Sequence, residues 1–110
     1  MFSAIDPKII RRIDMVLHEP SRLSIVFALR ASEVLSFAEL KVLLGMTDGN
    51  LSIHLRTLET TGYVKTDRVR AEGKPRKLCR LTSAGRQAFD RYLSTLDELV
   101  RAGRANPAAQ

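Results

Sequence analysis

Ser36-Phe-Ala-Glu-Leu-Lys-Val-Leu-Leu-Gly45 runs directly into Met46-Thr-Asp-Gly-Asn-Leu-Ser-Ile-His-Leu-Arg-Thr-Leu-Glu-Thr-Thr-Gly62, and the pair spells two complete helices back to back. Ser36 and Glu39 have the spacing of a capping box, in which each side chain satisfies the other residue's backbone donor. Leu40, Leu43 and Leu44 follow at helical steps, and Gly45 is a natural terminator. Thr47 is the next N-cap candidate, with Leu51, Leu55 and Leu58 on one face of the helix it starts and Gly62 at its end. Helix, tight turn near a glycine, helix is the helix-turn-helix pattern.

The flanks extend the pattern. Downstream, residues 63–69 and 76–81 read as strands around the turn Ala71-Glu-Gly-Lys-Pro75, whose Gly and Pro oppose helix. Thr82 then caps a long last helix in which Phe89, Tyr92, Leu93, Leu96, Leu99 and Val100 recur at three- and four-residue steps. Upstream, Asp6-Pro7 reads as a helix start whose stripe Ile9, Ile10, Ile13, Val16 and Leu17 continues to the break at His18-Glu-Pro20. A second helix opens at Pro20-Ser-Arg with the stripe Leu23, Val26 and Phe27, and residues 31–35 form a connector with room for a small strand. The expected fold is mainly α with one small β-hairpin, a single domain over residues 1–102 and a flexible tail over 103–110.

A chain of 110 residues, 45% of them apolar, fits one domain. No apolar run approaches the roughly 20 residues of a membrane span, and the N-terminus lacks the basic and apolar regions of a secretory signal. Cys79 is the single cysteine, so no intrachain disulfide forms. These features point to a cytoplasmic protein without membrane contact. The charge is uneven. Residues 65–80 hold seven basic side chains (Lys65, Arg68, Arg70, Lys74, Arg76, Lys77, Arg80) against two acids, in a chain whose net charge is +6. A cationic hairpin beside a helix-turn-helix pattern suits a polyphosphate partner. A solvated hairpin, or one docking an acidic protein, has the same composition.

Helix, helix, short strand, helix-turn-helix, hairpin and long helix, in that order, resemble the winged-helix transcription regulators of bacteria and archaea, nearest the multiple-antibiotic-resistance (MarR) and arsenic-repressor (ArsR) types. The resemblance spans residues 20–100 and rests on residues 36–40, residues 46–55, Leu58-Glu-Thr-Thr-Gly-Tyr-Val64 and Leu81-Thr-Ser-Ala-Gly-Arg86. It implies double-stranded DNA as partner, a homodimer, and the hairpin as a wing. Many relatives carry a basic residue where Ile53 stands.

A helical wheel of residues 47–61 turns the leucines inward, which leaves Gly49, Ile53, Arg56 and Thr60 opposite and Asn50, Ser52 and Thr57 on the flanks. Such a helix fits the major groove. Arg56 suits a guanine, Asn50 an adenine and Ile53 a thymine methyl, while Gly49 permits close approach. Thr47, Ser52 and Thr57 suit phosphates. Asp48 opposes such contacts. Arg68, Arg70, Lys74, Arg76 and Lys77 are the wing candidates for backbone or minor-groove contact.

The stripe of the last helix is too wide for one small core, so Phe89, Tyr92, Leu93, Leu96, Leu99 and Val100, with Ile9, Ile13 and Val16 of the first helix, are the candidate dimer interface. The alternative is that the first helix merely covers the last within one chain. His18, His54 and Cys79 are too few and scattered for a metal site, and no nucleophile with a base and orienter appears. No cofactor or catalysis is expected. Cys79 suits a small buried side chain, with a redox role as the alternative. A small-molecule effector is left open, with no residue pattern in its favour. A sequence-specific homodimeric repressor is the leading expectation; a protein-interaction module and a nonspecific architectural protein are the rivals.

Overall fold

A computed structural model describes residues 6–105. The end signals of the helix-turn-helix act where the sequence puts them. Ser36 Oγ accepts from the Glu39 N–H at 3.0 Å and Glu39 Oε1 accepts from the Ser36 N–H at 2.8 Å, which starts α3 (Phe37–Leu44). Those bonds hold the Glu39 carboxyl below its ordinary pKa range. Gly45 closes α3 at φ 64°, and Gly62 closes α4 (Asp48–Thr61) at φ 88°, a conformation that costs glycine little. Leu51, Leu55 and Leu58 of α4 are fully buried, and Leu40 of α3 and Ile25, Val26 and Leu29 of α2 (Pro20–Ser32) belong to the same core.

Three antiparallel strands, β1 (Val34–Ser36), β2 (Val64–Ala71) and β3 (Lys74–Leu81), lie in the order β1-β3-β2. The hairpin is longer and its turn tighter than the sequence suggests. Only Glu72 and Gly73 form the turn, both at positive φ (55° and 75°), as in the two-residue hairpin whose twist matches its strands. Pro75 is not a turn residue; it pairs with Arg70, one step from the closing pair Ala71–Lys74. Ladder bonds alternate, so its missing N–H falls at a position that forms none.

Cys79 of β3 faces the core and is fully buried, which pushes its thiol up from near 9 to about 11. The neutral thiol is the form the fold stabilises, so this contribution is complete below pH 9 and is lost as pH rises through 11. At pH 8 a disulfide reagent should label Cys79 only in denaturant; stoichiometric labelling of the native chain would contradict this burial.

The first helix departs from expectation. α1 covers Lys8–Arg11 alone, and residues 12–19 are a strap of turns. Asp14 Oδ1 takes the N–H groups of Val16 and Leu17 at 2.9 and 3.3 Å, while Arg22 donates to the carbonyls of Val16 and Met15 at 2.6 and 3.4 Å. Side chains thus take up the backbone groups a continued helix would need. Arg12 forks onto Glu98 at 2.9 and 3.0 Å, and the Tyr63 hydroxyl donates to Asp14 Oδ2 at 2.6 Å. That last bond, with partial burial, pushes the Tyr63 phenol up to about 12.

The last helix, α5 (Ser83–Arg104), starts on the Thr82 cap, whose Oγ1 accepts from the Gly85 N–H at 3.0 Å and donates to the Gly62 carbonyl at 2.6 Å. α5 continues through Gly103, beyond the expected end of the domain; residues 106–110 of the expected tail lie outside the described residues. Phe89 and Tyr92 are only 3% exposed and belong to the chain's own core. α2 turns Ile25, Val26, Ala28 and Leu29 inward and leaves Phe27, expected in its stripe, facing out. Among the described residues no helix is long and apolar enough to cross a membrane.

Candidate nucleic-acid interface

The buried leucines fix how α4 is rolled, and the roll decides what it offers. Gly49, Asn50, Ser52, Ile53 and Arg56 are exposed, and Thr57 is half-buried with its hydroxyl donating to the Ile53 carbonyl at 3.3 Å. Ser52, Ile53, Arg56 and Thr57 line a shallow depression of about 280 Å³ on this face. Thr47 Oγ1 accepts from the Asn50 N–H at 3.2 Å, and its own hydroxyl hydrogen remains to donate to an anion. Asp48, the unfavourable carboxylate, meets Lys41 Nζ of α3 at 2.9 Å, which offsets its charge at the helix start. Sequence reasoning missed Lys41, because the helix-turn-helix packing brings it to Asp48.

The wing cations divide by partner. Arg70 donates to the Gly73 carbonyl at 2.7 Å and braces the turn. Lys77 Nζ lies 5.5 Å from the centre of the Phe37 ring, a cation–π distance. Arg80 and Lys65 both meet Asp67, at 3.4 and 3.9 Å. Arg68, Lys74 and Arg76 are exposed and have no ion-pair partner among the described residues. Arg56 is equally unpaired among them. These four keep their charge available for a polyanion.

Lys74, Pro75, Arg76 and Lys77 face Ser36, Phe37 and Ala38 of the α3 start and Ser52 of α4 across a cleft of about 460 Å³. The wing edge and α4 therefore border the same opening. The cleft joins three segments far apart in sequence, so only the sheet register reveals it. Behind the helix, His54 Nδ1 lies 3.4 Å from Arg22 and 3.8 Å from Glu19, which cap and brace the start of α2. His54 is thus a joint between α4 and α2, turned away from the open face. His18 contacts the Tyr92 hydroxyl at 2.9 Å. No group of three His, Cys, Asp or Glu residues is placed to hold a metal ion among the described residues.

The candidate dimer residues fall on two sides of α5. Phe89 and Tyr92 are consumed by the core, and Ile13 and Val16 pack against it from the strap. Leu93 and Val100 are exposed, Leu96 is half-buried, and Leu99 and Ile9 are intermediate. On the strap side, a cleft of about 580 Å³ is lined by Arg12, Asp14, Arg91, Tyr92, Thr95 and Glu98, among others.

Residues 21–100 match the family described as the winged helix DNA-binding domain. An uncharacterized protein of Methanocaldococcus jannaschii is 36% identical over 80 residues, 73% of this chain and 87% of that one. The structure of a transcriptional regulator homologue from Pyrococcus horikoshii OT3 superposes with a TM-score of 0.79 at 32% identity, over 90% of this chain and 95% of that one. A variant of MarR from E. coli, complexed with operator DNA, has the same fold: TM-score 0.64 at 20% identity, over 86% of this chain and 70% of that one.

Proposed function

This chain belongs to the winged helix DNA-binding domain family, and from that premise we propose that it is a cytoplasmic, sequence-specific, homodimeric transcriptional repressor that lays α4 in the major groove of an inverted repeat. The observation that carries this reading is the open polar face of α4 beside a cleft edged by unpaired wing cations. The Pyrococcus relative is described as a transcriptional regulator homologue, and the MarR variant of the same fold was captured on operator DNA.

In this reading Arg56, Asn50 and Ile53 meet base edges, with Gly49 allowing the backbone to come close. Thr47, Ser52 and Thr57 donate to phosphates, and the positive end of α4 favours the same anions. Arg68, Lys74 and Arg76 neutralise the flanking backbone, while Arg70 and Lys77 shape the wing. Leu93, Leu96, Leu99 and Val100 of α5, with Ile9, Ile13 and Val16, join two copies, while Phe89 and Tyr92, buried in the chain's own core, support them from beneath. A two-fold pair sets two reading helices one DNA turn apart, about 34–36 Å.

Selection of bound duplexes from random sequence tests the reading: an enriched inverted repeat is expected, and recovery without any preferred sequence would refute it. On the selected duplex Arg56→Ala should cost about 1–3 kcal/mol and relax preference at one position of each half-site. An equal loss on every sequence would move Arg56 from base to phosphate.

A further inference from the structure

Ile53 is a large apolar side chain, 65% exposed, in the middle of a face that otherwise carries Gly49, Asn50, Ser52 and Arg56. One exposed apolar residue is ordinary on a surface, but its surroundings here are not. Side chains of a helix lean toward its N-terminus, so Ile53 lies over the turn where Gly49 has no side chain to shield it. Nothing inside the chain asks for that glycine. It has no positive φ, and a Cβ there would meet nothing within 4 Å. Glycine is a weak helix former, so its use at this spot keeps the way to Ile53 open from outside. Ile53 also forms one wall of the shallow depression shared with Ser52, Arg56 and Thr57. Ser52 joins that depression to the wing cleft, where Lys74 and Arg76 stand. Arg56, Lys74 and Arg76 have no ion-pair partner among the described residues. The result is an apolar spot ringed by hydroxyls and available cations.

Such a spot calls for a polyanion that carries small, isolated apolar groups. Duplex DNA does so: the C5 methyl of thymine projects into the major groove among the acceptor atoms of the neighbouring bases. RNA has uracil in its place, and its major groove is too deep and narrow for side chains to read. We propose that Ile53 and Arg56 act together on one two-base-pair step, Ile53 seating the C5 methyl of a 5-methylpyrimidine while Arg56 forks onto the guanine of the adjacent pair. The inference rests on α4 lying in the major groove, as in the proposed function, and adds the chemistry that the helix selects there. Spacing agrees with it. Three residues of helix rise about 4.5 Å, close to the roughly 3.4 Å that separates successive base pairs. Cytosine methylated at C5 offers the same group in the same place. Methylation of a cytosine beside that guanine would therefore strengthen binding, so that the chemical state of the DNA tunes occupancy of the site.

The test uses the full chain and duplexes selected from random sequence, with fluorescence anisotropy as the readout. The enriched half-site should carry thymine next to its guanine. Replacing that thymine by uracil removes the methyl and keeps the base pairing. Affinity should then fall about fourfold for one half-site and about fifteenfold for both, the worth of one buried methyl at each. With cytosine at the position, 5-methylcytosine should bind tighter than cytosine by the same factors. A thymine duplex tighter than the 5-methylcytosine duplex assigns the methyl to the sequence itself, and the reverse order assigns it to a modified base; either supports the contact. Ile53→Ala changes an exposed side chain, with circular dichroism verifying its fold, and should bind thymine and uracil duplexes equally. The uracil comparison on the unchanged chain keeps the test independent of any variant's folding. Equal affinity of the unchanged chain for thymine and uracil, or a methyl preference that survives Ile53→Ala undiminished, would overturn the inference and leave the regulator reading standing. Selection that enriches no sequence at all would overturn both.

Discussion

Gly85→Ala should lower the stability of the fold by about 3 kcal/mol, the upper end for forcing extra atoms into packed structure. A Cβ at position 85 would lie 2.1 Å from the Tyr63 carbonyl oxygen, with two more Tyr63 backbone atoms within 3.1 Å. Those atoms belong to main chain held on both sides: the Tyr63 N–H donates to the Leu58 carbonyl at 2.9 Å, and its carbonyl accepts from the Thr82 N–H at 3.0 Å. No flexible side chain can yield, so α5 must back away from the root of the wing. Gly103→Ala is the matched control, since a Cβ there meets nothing within 4 Å. It should gain up to about 1 kcal/mol from better helix propensity. Thermal melts at equal protein concentration decide the matter, with a fall of roughly 10–20 °C expected for Gly85→Ala. An unchanged melting temperature would mean that the close approach does not exist.

The second large effect concerns DNA. Replacing Arg68, Lys74 and Arg76 together by alanine should flatten the salt dependence of binding by about 0.9 logarithmic units for every phosphate left without its cation, or nearly 3 for each wing. At about 0.1 M salt that corresponds to an affinity loss on the order of 10³-fold for one wing, and more for two. Because phosphate contacts carry no base information, the loss should be similar on cognate and random duplexes. Fluorescence anisotropy titrations between 50 and 200 mM salt measure both slopes (salt values chosen to span about the range in which such contacts respond). Parallel slopes for the parent and the triple variant would remove the wing from the interface. Arg70→Ala should act differently, since Arg70 braces the Gly73 carbonyl; its effect should appear in the order of the hairpin tip.

The legible parts of the fold were those governed by neighbouring residues. Ser36 with Glu39, Thr47, Gly45 and Gly62 satisfy or end their helices by contacts a few residues long, and the structure realises each of them. The roll of α4 followed from three leucines at helical steps. Where long-range contacts decide, local patterns misled. The spacing from Ile9 to Leu17 suits a helix, but Arg22, Tyr63 and Glu98 reach in from elsewhere, and Asp14 takes its own neighbours' backbone N–H groups, so residues 12–17 are held in turns. Pro75 reads as a turn residue until the strand register gives it a place that needs no N–H. Phe89 and Tyr92 fit the same stripe as Leu93 and Val100, and only the packed structure tells the buried half from the open half. In the candidate interface, the exposed α4 residues and the wing charge could be read in advance. The Lys41–Asp48 pair and the cleft at Ser36 could not, because both arise between segments that the chain's folding brings together.

The Thr82–Gly85 joint ties the start of α5 to the Gly62 and Tyr63 backbone, so that α4, wing and long helix share one anchor. Their mutual angle is then a matter of residue count. Inserting a single residue directly after Tyr92 would swing everything beyond it by about 100° and advance it about 1.5 Å, leaving the anchor and the buried Phe89 and Tyr92 untouched. In the proposed homodimer such an insertion would re-aim one copy against the other without altering any side chain that faces outward on α4. Length changes in this stretch should therefore behave unlike those in the hairpin tip: a tip can grow with little penalty, whereas here one added residue would change which half-site spacing the proposed pair can straddle.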